Sequence, residues 1–407
     1  MTEEPKAYLN LSEKNSLLPR EETLEIKLDK KKFMIGIPLE SDPNERRVPL
    51  VPNAVELLVQ HGHHVIMERH AGEGAHFNDS LYSEAGAEIT DHHADIFQTD
   101  VIIKIAAPTE DEIQMLGRNR ILLSSLSLQN RTKAYFQSLM DKKINAIAFE
   151  FIKDKTGAFP MLRSMSEIIG NASIMIASEY LCHPDYGKGV MLGGFPGIRP
   201  SEVVIIGAGT VAEYAARTAL GMGAQVKLFD DSIFKLRDIQ RVMGLKVYTS
   251  ILQPILLLKA LKEADVVVAA KHSTTGQASC IIPTDMVKQM KNGSVVVDVS
   301  IDQGGCFETS KPTSHQHPVF KEYGVTHYCV PNIASRVPHT ASYSLSNILT
   351  TLLLQMADVG SVEQLISQDK AFGNGVYLFS GILTDKNIAD KYGLSFRDLD
   401  LLMASLR

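Results

Sequence analysis

Two stretches of this chain place reactive residue types where chemistry could be done. In "VVIIGAGTVAEYAARTALG", a β-branched run leads straight into Gly207, Gly209 and Ala212, a G-x-G-x-x-A pattern. The first glycine permits a tight turn, the second lets a pyrophosphate approach the backbone, and the third position needs only a small side chain. The helix opening at Thr210 and Val211 would offer unpaired N–H groups and a positive dipole end to the phosphates. About 20 residues on, "VKLFD" ends in Asp230, the expected place for a ribose-binding acid. Such a carboxylate accepts from ribose hydroxyls and repels a 2′-phosphate, which favours NAD over NADP. Lys235, just beyond it, either touches the adenosine or is solvated. The second stretch is "VDVSIDQGGCFE". Val295, Val296 and Val297 read as a buried strand, the chain then turns through Gly304 and Gly305, and Asp302 lies between. Folding has little need of an acid on such a loop, so Asp302 is a candidate for proton work.

These residues need a scaffold, and the patterning supplies one. The runs "FMIGIPL", "HHVIMER", "VIIKIAA", "RILLSSLSL" and "AIAFEFI" read as strands alternating with helical segments. Among the latter, "NAVELLVQHG" has apolar residues at helical spacing and stops at Gly62. A Gly/Pro-rich connector at 193–200 precedes a second array: "EVVIIGAG", "AQVKLFD", "LKVYTS", "DVVVAA", "SVVVDVS" and "THYCVPN". Alternation of this kind predicts βα units with largely parallel sheets. A long helical pattern near 340 is followed by a tail too small for a core of its own, so it should pack back on the first array. The expected architecture is α/β, with two Rossmann-like domains. Residues 33–161 and 339–407 would form one domain, residues 162–338 a nucleotide-binding domain inserted into it, and residues 1–32 an extension.

Composition narrows the function classes. With 407 residues the chain has room for two cores, and 44% hydrophobic with 22% charged residues is globular composition. A net charge of −6 gives no reason to expect nucleic acid or an anionic membrane as partner. No run reaches the roughly 20 apolar residues of a membrane helix, and the acidic start "MTEEPKAYLN" has no signal core. Cys182, Cys280, Cys306 and Cys329 form no CxxC pair, so reduced thiols and a cytoplasmic location are expected. The histidine groups at 61–64, 91–93 and 315–317 have no cysteine partners and no helical H-x-x-x-H spacing, so no metal site is expected.

The segments "GIPLESDPNERRVPLVP", "GHHVIMERHAGEGAHF", "MSEIIG", "VMLGGFPGI", "IDQGGCFETSKPT" and "VPNIASRVPHTASYSLSN", with the nucleotide loop, resemble the alanine dehydrogenase and transhydrogenase family over nearly everything after residue 33. "LGGFPG" and the Asp-Gln-Gly-Gly-Cys run point to the alanine dehydrogenase branch. The resemblance implies an active site in the cleft between the domains, oxidation of L-alanine by NAD to pyruvate and ammonia, and commonly a hexamer. It assigns Arg47 to the substrate carboxylate, Asp302 to catalysis, and Ser166 and Asn332 to the cofactor side. In the family's lysine-x-lysine segment this chain reads "KIAAP", so the outer lysine is Lys104 and the substrate-gripping position is Ala106. Ser127 stands at the histidine position, and Ser125 two residues earlier replaces an aromatic.

These departures have a cost. One charge-assisted contact to a carboxylate, roughly 1.5–3 kcal/mol, is gone. A missing general acid–base typically costs about 10² to 10⁴ in rate, and a serine hydroxyl does not titrate near neutral pH. The pocket wall is roomier, which admits a bulkier amino or imino acid. Arg163 in "LRSMSE" is a candidate second cation, with a surface salt bridge as its competing role; Lys271 and His272 replace an apolar segment near the nicotinamide side. Two further readings stand beside the dehydrogenase: a transhydrogenase-like nucleotide-binding subunit, and an NAD-binding regulator without turnover.

Overall fold

The computed structural model describes residues 31–126, 128, 131–244, 246–271 and 281–405. Ser127 and His272, both singled out above, lie outside the described residues. The first array forms β1 (Met34–Ile37), β2 (His64–Glu68), β3 (Glu88–Thr90), β4 (Val101–Ile103), β5 (Ile121–Ser124) and β6 (Asn145–Ala148). The second forms β7 (Glu202–Ile206), β8 (Gln225–Asp230), β9 (Tyr248–Ile251), β10 (Val266–Ala269), β11 (Val295–Asp298), β12 (Val319–Glu322) and β13 (Val325–Tyr328). The chain ends with β14 (Val376–Phe379) and β15 (Ile382–Leu383).

Among the described residues there are two sheets. One has eight strands in the order β15-β14-β6-β5-β4-β1-β2-β3, the other seven in the order β12-β13-β11-β10-β7-β8-β9. Pairing is parallel throughout except where β14, β15 and β12 join. Strands β7, β10 and β11 are buried along their whole length and read as near-continuous valine and isoleucine, as parallel strands covered on both faces should. Because β14 pairs with β6, the first sheet takes strands from both sides of the second.

The chain passes between the two cores along two helices, and a third packs across the first of them. Helix α1 (Pro160–Cys182) puts Met161 and Met165 into the first core and Ala172, Ile174, Ala177 and Leu181 into the second. Helix α2 (Thr210–Gly221) crosses it at Gly170, where an added Cβ would lie 2.5 Å from the Val211 carbonyl, so the absent side chain sets their approach. Helix α3 (Pro338–Val359) returns the chain to the first core through Leu345, Leu349, Leu353 and Met356, and Gly360 at φ +91° ends it. No single helix among the described residues is long and apolar enough to cross a membrane.

Candidate active site

In α/β sheets, ligands bind beyond the carboxyl ends of the parallel strands. Several of the residues singled out in the sequence follow these ends. Gly207 follows β7, Asp230 closes β8, Lys271 follows β10, Asp302 follows β11, and on the other sheet Arg47 follows β1 and Ala106 follows β4.

At the glycine turn, Gly207 has φ +111°, and a Cβ there would sit 2.4 Å from the Ala270 carbonyl oxygen, so only glycine fits. Gly209 is different: its backbone is extended and nothing lies within 4 Å of where its Cβ would be. It leads into α2 with no side chain capping the helix N–H groups. An open cradle over uncapped donors fits a dinucleotide pyrophosphate. Asp230 is only 2% exposed, and its carboxylate already takes the Ala208 N–H at 2.9 Å and the Ser232 N–H at 2.8 Å. The acid therefore braces the glycine turn, and its remaining lone pairs are what a ribose could use. Lys235 is exposed; its backbone N–H donates to Ser232 Oγ at 3.3 Å. Thr210, Val211 and Ser166 are half-buried.

On the side of the first sheet, Arg47 is held rather than free. Its Nε and Nη2 donate to the two oxygens of Glu45 at 2.7 and 2.5 Å, a fork-to-fork pair, and Nη1 lies 3.5 Å from Met165 Sδ. Glu45 in turn accepts from Asn332 Nδ2 at 2.8 Å and Ser335 Oγ at 2.7 Å. Asn332 adopts a left-handed backbone to reach it, at φ +60°. Burial opposes charge on Glu45, but Arg47 and these donors win, and its carboxyl is held below the usual range. The clamp leaves the other edge of the guanidinium for a carboxylate ligand.

Asp302 is pushed up to about 6, first by burial and then by the charge of Asp298, while the Arg47 charge pulls the other way. Arg47 and Asp302 are thus close enough to feel each other, with no ion pair between them. Asp298, at the end of β11, is fully buried and gathers the loop by accepting from Ser300 N, Cys306 N and Ser310 Oγ at 3.1, 2.8 and 2.6 Å. Gly304 and Gly305 turn that loop at φ +105° and +82°.

The altered positions have equally definite surroundings. Lys104 is buried and committed to Glu112 at 2.7 and 2.8 Å, with Glu40 at 3.8 Å, so the outer lysine braces the fold. Glu40 accepts from the Ile105 and Ala106 N–H groups at 2.5 and 3.3 Å; burial raises it to about 7 against the pull of Lys104. Beyond β6, Glu150 accepts from the Leu126 N–H at 2.7 Å, its other oxygen is buried with no partner among the described residues, and burial lifts it to about 7.

Arg163 is not brought to this cluster. Its side chain is 61% exposed and pairs with Glu167 at 3.1 Å on its own helix. Residues two apart on a helix face different ways, so with Met165 turned towards Arg47, Arg163 points elsewhere. His339 stacks on Phe77 and bonds the Ala75 carbonyl oxygen at 2.9 Å. Glu40, Asp298 and Ser335 went unnoticed in the sequence. An acid ending a valine strand was a readable signal for Asp298; Ser335 had none.

The family model "Alanine dehydrogenase/PNT, N-terminal domain" matches residues 36–169, and the corresponding C-terminal domain matches residues 173–386. The chain belongs to the alanine dehydrogenase/PNT family. Within it, the chain is 36% identical over 369 residues to an alanine dehydrogenase of Staphylococcus saprophyticus, covering 90% of this chain and 99% of that one. It is also 36% identical over 367 residues to alanine dehydrogenase 2 of Staphylococcus aureus (strain USA300), covering 90% and 98%. A solved L-alanine dehydrogenase superposes with a TM-score of 0.80 at 33% identity, covering 88% of this chain and 98% of that one. A transhydrogenase from Sinorhizobium meliloti gives 0.74 at 23% identity, covering 87% and 99%, and shares the fold.

Proposed function

We propose that this chain is an NAD-dependent amino-acid dehydrogenase of the alanine dehydrogenase type, converting L-alanine or a larger relative to the 2-oxo acid and ammonia. The observation that carries this reading is a clamped cation, Arg47, whose charge is felt by the buried acid Asp302, together with a glycine turn open to a dinucleotide. Arg47, oriented by Glu45, binds the substrate carboxylate on its free edge. Asp302, ionised above about pH 6, offsets positive charge on the substrate nitrogen and positions the water that hydrolyses the imine. Gly207, Gly209, Thr210, Val211, Asp230, Ser166 and Asn332 form the cofactor side. Bound NAD would supply the hydride acceptor. Ala106 and Ser125 leave room that favours side chains larger than methyl.

The same reading includes a nucleotide-binding domain at 162–338 inserted into a catalytic domain, a cytoplasmic location and a hexamer, which the family resemblance supports. The commitment of Lys104 to Glu112 favours one rival, an NAD-binding regulator without turnover. The test is a panel of L-amino acids with NAD at alkaline pH. NADH formation from alanine or a larger aliphatic amino acid supports the enzyme; tight NADH binding with no turnover of any member supports the regulator.

A further inference from the structure

Strand β7 lies between β8 and β10, with Ile206 level with Phe229 on one side and Ala269 on the other. Neighbouring strands are about 4.8 Å apart, so the ends of β8 and β10 stand roughly 10 Å from each other across the glycine turn. Among the described residues a side-chain contact spans that gap: Lys271 Nζ, two residues beyond β10, donates to Asp231 Oδ2, just beyond β8, at 2.5 Å. The Lys271 backbone is fixed, because its carbonyl accepts from Ser300 Oγ at 2.9 Å and its N–H side borders Gly207. The ammonium therefore lies across the mouth of the turn, where a dinucleotide must enter.

We propose that Lys271 is a dinucleotide-contact residue, resting on Asp231 in the free protein and exchanging that partner for a phosphate oxygen when the glycine turn is occupied. The pair is suited to exchange. The Asp231 side chain is 67% exposed against 24% for Lys271, so the pair is open to water on the aspartate side and contributes only modestly to stability. The nearest anionic group of a ligand over Gly209 is the pyrophosphate, and an ammonium binds phosphate as a point charge. Asp231 competes for the same cation.

This inference rests on the reading of the glycine turn as a dinucleotide site, and the experiment separates the two. NADH and ADP-ribose binding is followed by fluorescence and calorimetry in the wild type, Lys271→Ala, Asp231→Asn and the double variant. Loss of Lys271 should weaken both ligands about 10- to 100-fold, the worth of one charge-assisted bond, and should flatten the salt dependence of binding. Adenosine, which lacks phosphate, should be unaffected. Asp231→Asn, at an exposed position, should tighten NADH several-fold in the wild-type background and do nothing in Lys271→Ala. Equal weakening by Asp231→Asn, or an unchanged Kd in Lys271→Ala, would overturn the exchange and leave the nucleotide site standing. A wild type that binds no NADH would overturn both.

Discussion

Replacing Glu45 with glutamine changes one atom and should disable the substrate cation. The carboxylate takes the Arg47 Nε, Arg47 Nη2, Asn332 Nδ2 and Ser335 Oγ donors at 2.7, 2.5, 2.8 and 2.7 Å. Glutamine keeps the oxygen that serves Nε and Ser335, but its amide nitrogen then faces Nη2 and Asn332, donor against donor. The Glu45 side chain is 4% exposed and that of Arg47 12%, so the loss is not replaced by water. Removing one member of a buried pair costs about 3–5 kcal/mol, the lower end applying to a neutral isostere. For domains of this size 3 kcal/mol corresponds to a fall in Tm of about 6–12 °C. With Arg47 unfixed, KM for the amino acid should rise at least about 10-fold, while the Kd for NADH, set chiefly at the glycine turn and touched only through Asn332, should change far less. Calorimetry and initial rates with NADH titration read the three quantities. A Tm within 2 °C (about 1 kcal/mol or less) together with an unchanged KM would refute the argument that Glu45 orients Arg47.

Asp302→Asn should lower kcat by about 10² to 10⁴ with NADH binding retained, and the wild-type acid limb of the pH profile should fall near the Asp302 value of about 6. Ala106→Lys should lower KM for the amino acid about 10-fold by supplying a second cation, measured by initial rates. Gly207→Ala should cost folding, since its Cβ meets a carbonyl at 2.4 Å, whereas Gly209→Ala should fold normally and lose NADH affinity; melting and fluorescence titration separate them. The folded value of Glu150, about 7, lies above its ordinary 4.5, so the native state holds that proton more tightly than the unfolded chain. The stability this adds is present below about 4.5 and is lost as pH rises through 7. Glu150→Gln, which cannot ionise, should therefore gain on the wild type between pH 5 and 8 by up to about 3 kcal/mol, read by melting at both pH values.

Much of the scaffold was legible because apolar runs such as Val266–Ala269 and Val295–Val297 are long enough to show their burial. β3 and β12 escaped, the first being three partly exposed residues, "EIT", and the second a half-exposed antiparallel edge, "VFKE". At the site, the glycine turn was readable because its G-x-G-x-x-A spacing directly follows a β-branched run. The Arg47 clamp was not, since Asn332 and Ser335 reach Glu45 across separations of 287 and 290 residues, which no local pattern records. Asp230 was picked out by its spacing, yet its backbone bracing of the turn emerges only from geometry. Arg163 looked useful as a charge type, and helical phase assigned it to the surface instead.

Deuterium transfer reaches the centre of the account. Incubating the protein with NAD and L-alanine, or the best member of the amino-acid panel, deuterated at the α-carbon should place the label at nicotinamide C4 of the reduced cofactor, as seen by NMR. The same experiment with Asp302→Asn should yield label at a rate lower by about 10² or more. Unlabelled NADH, or no reduction from any deuterated amino acid, would contradict the claim that Arg47 and Asp302 hold a substrate whose α-hydrogen leaves as hydride.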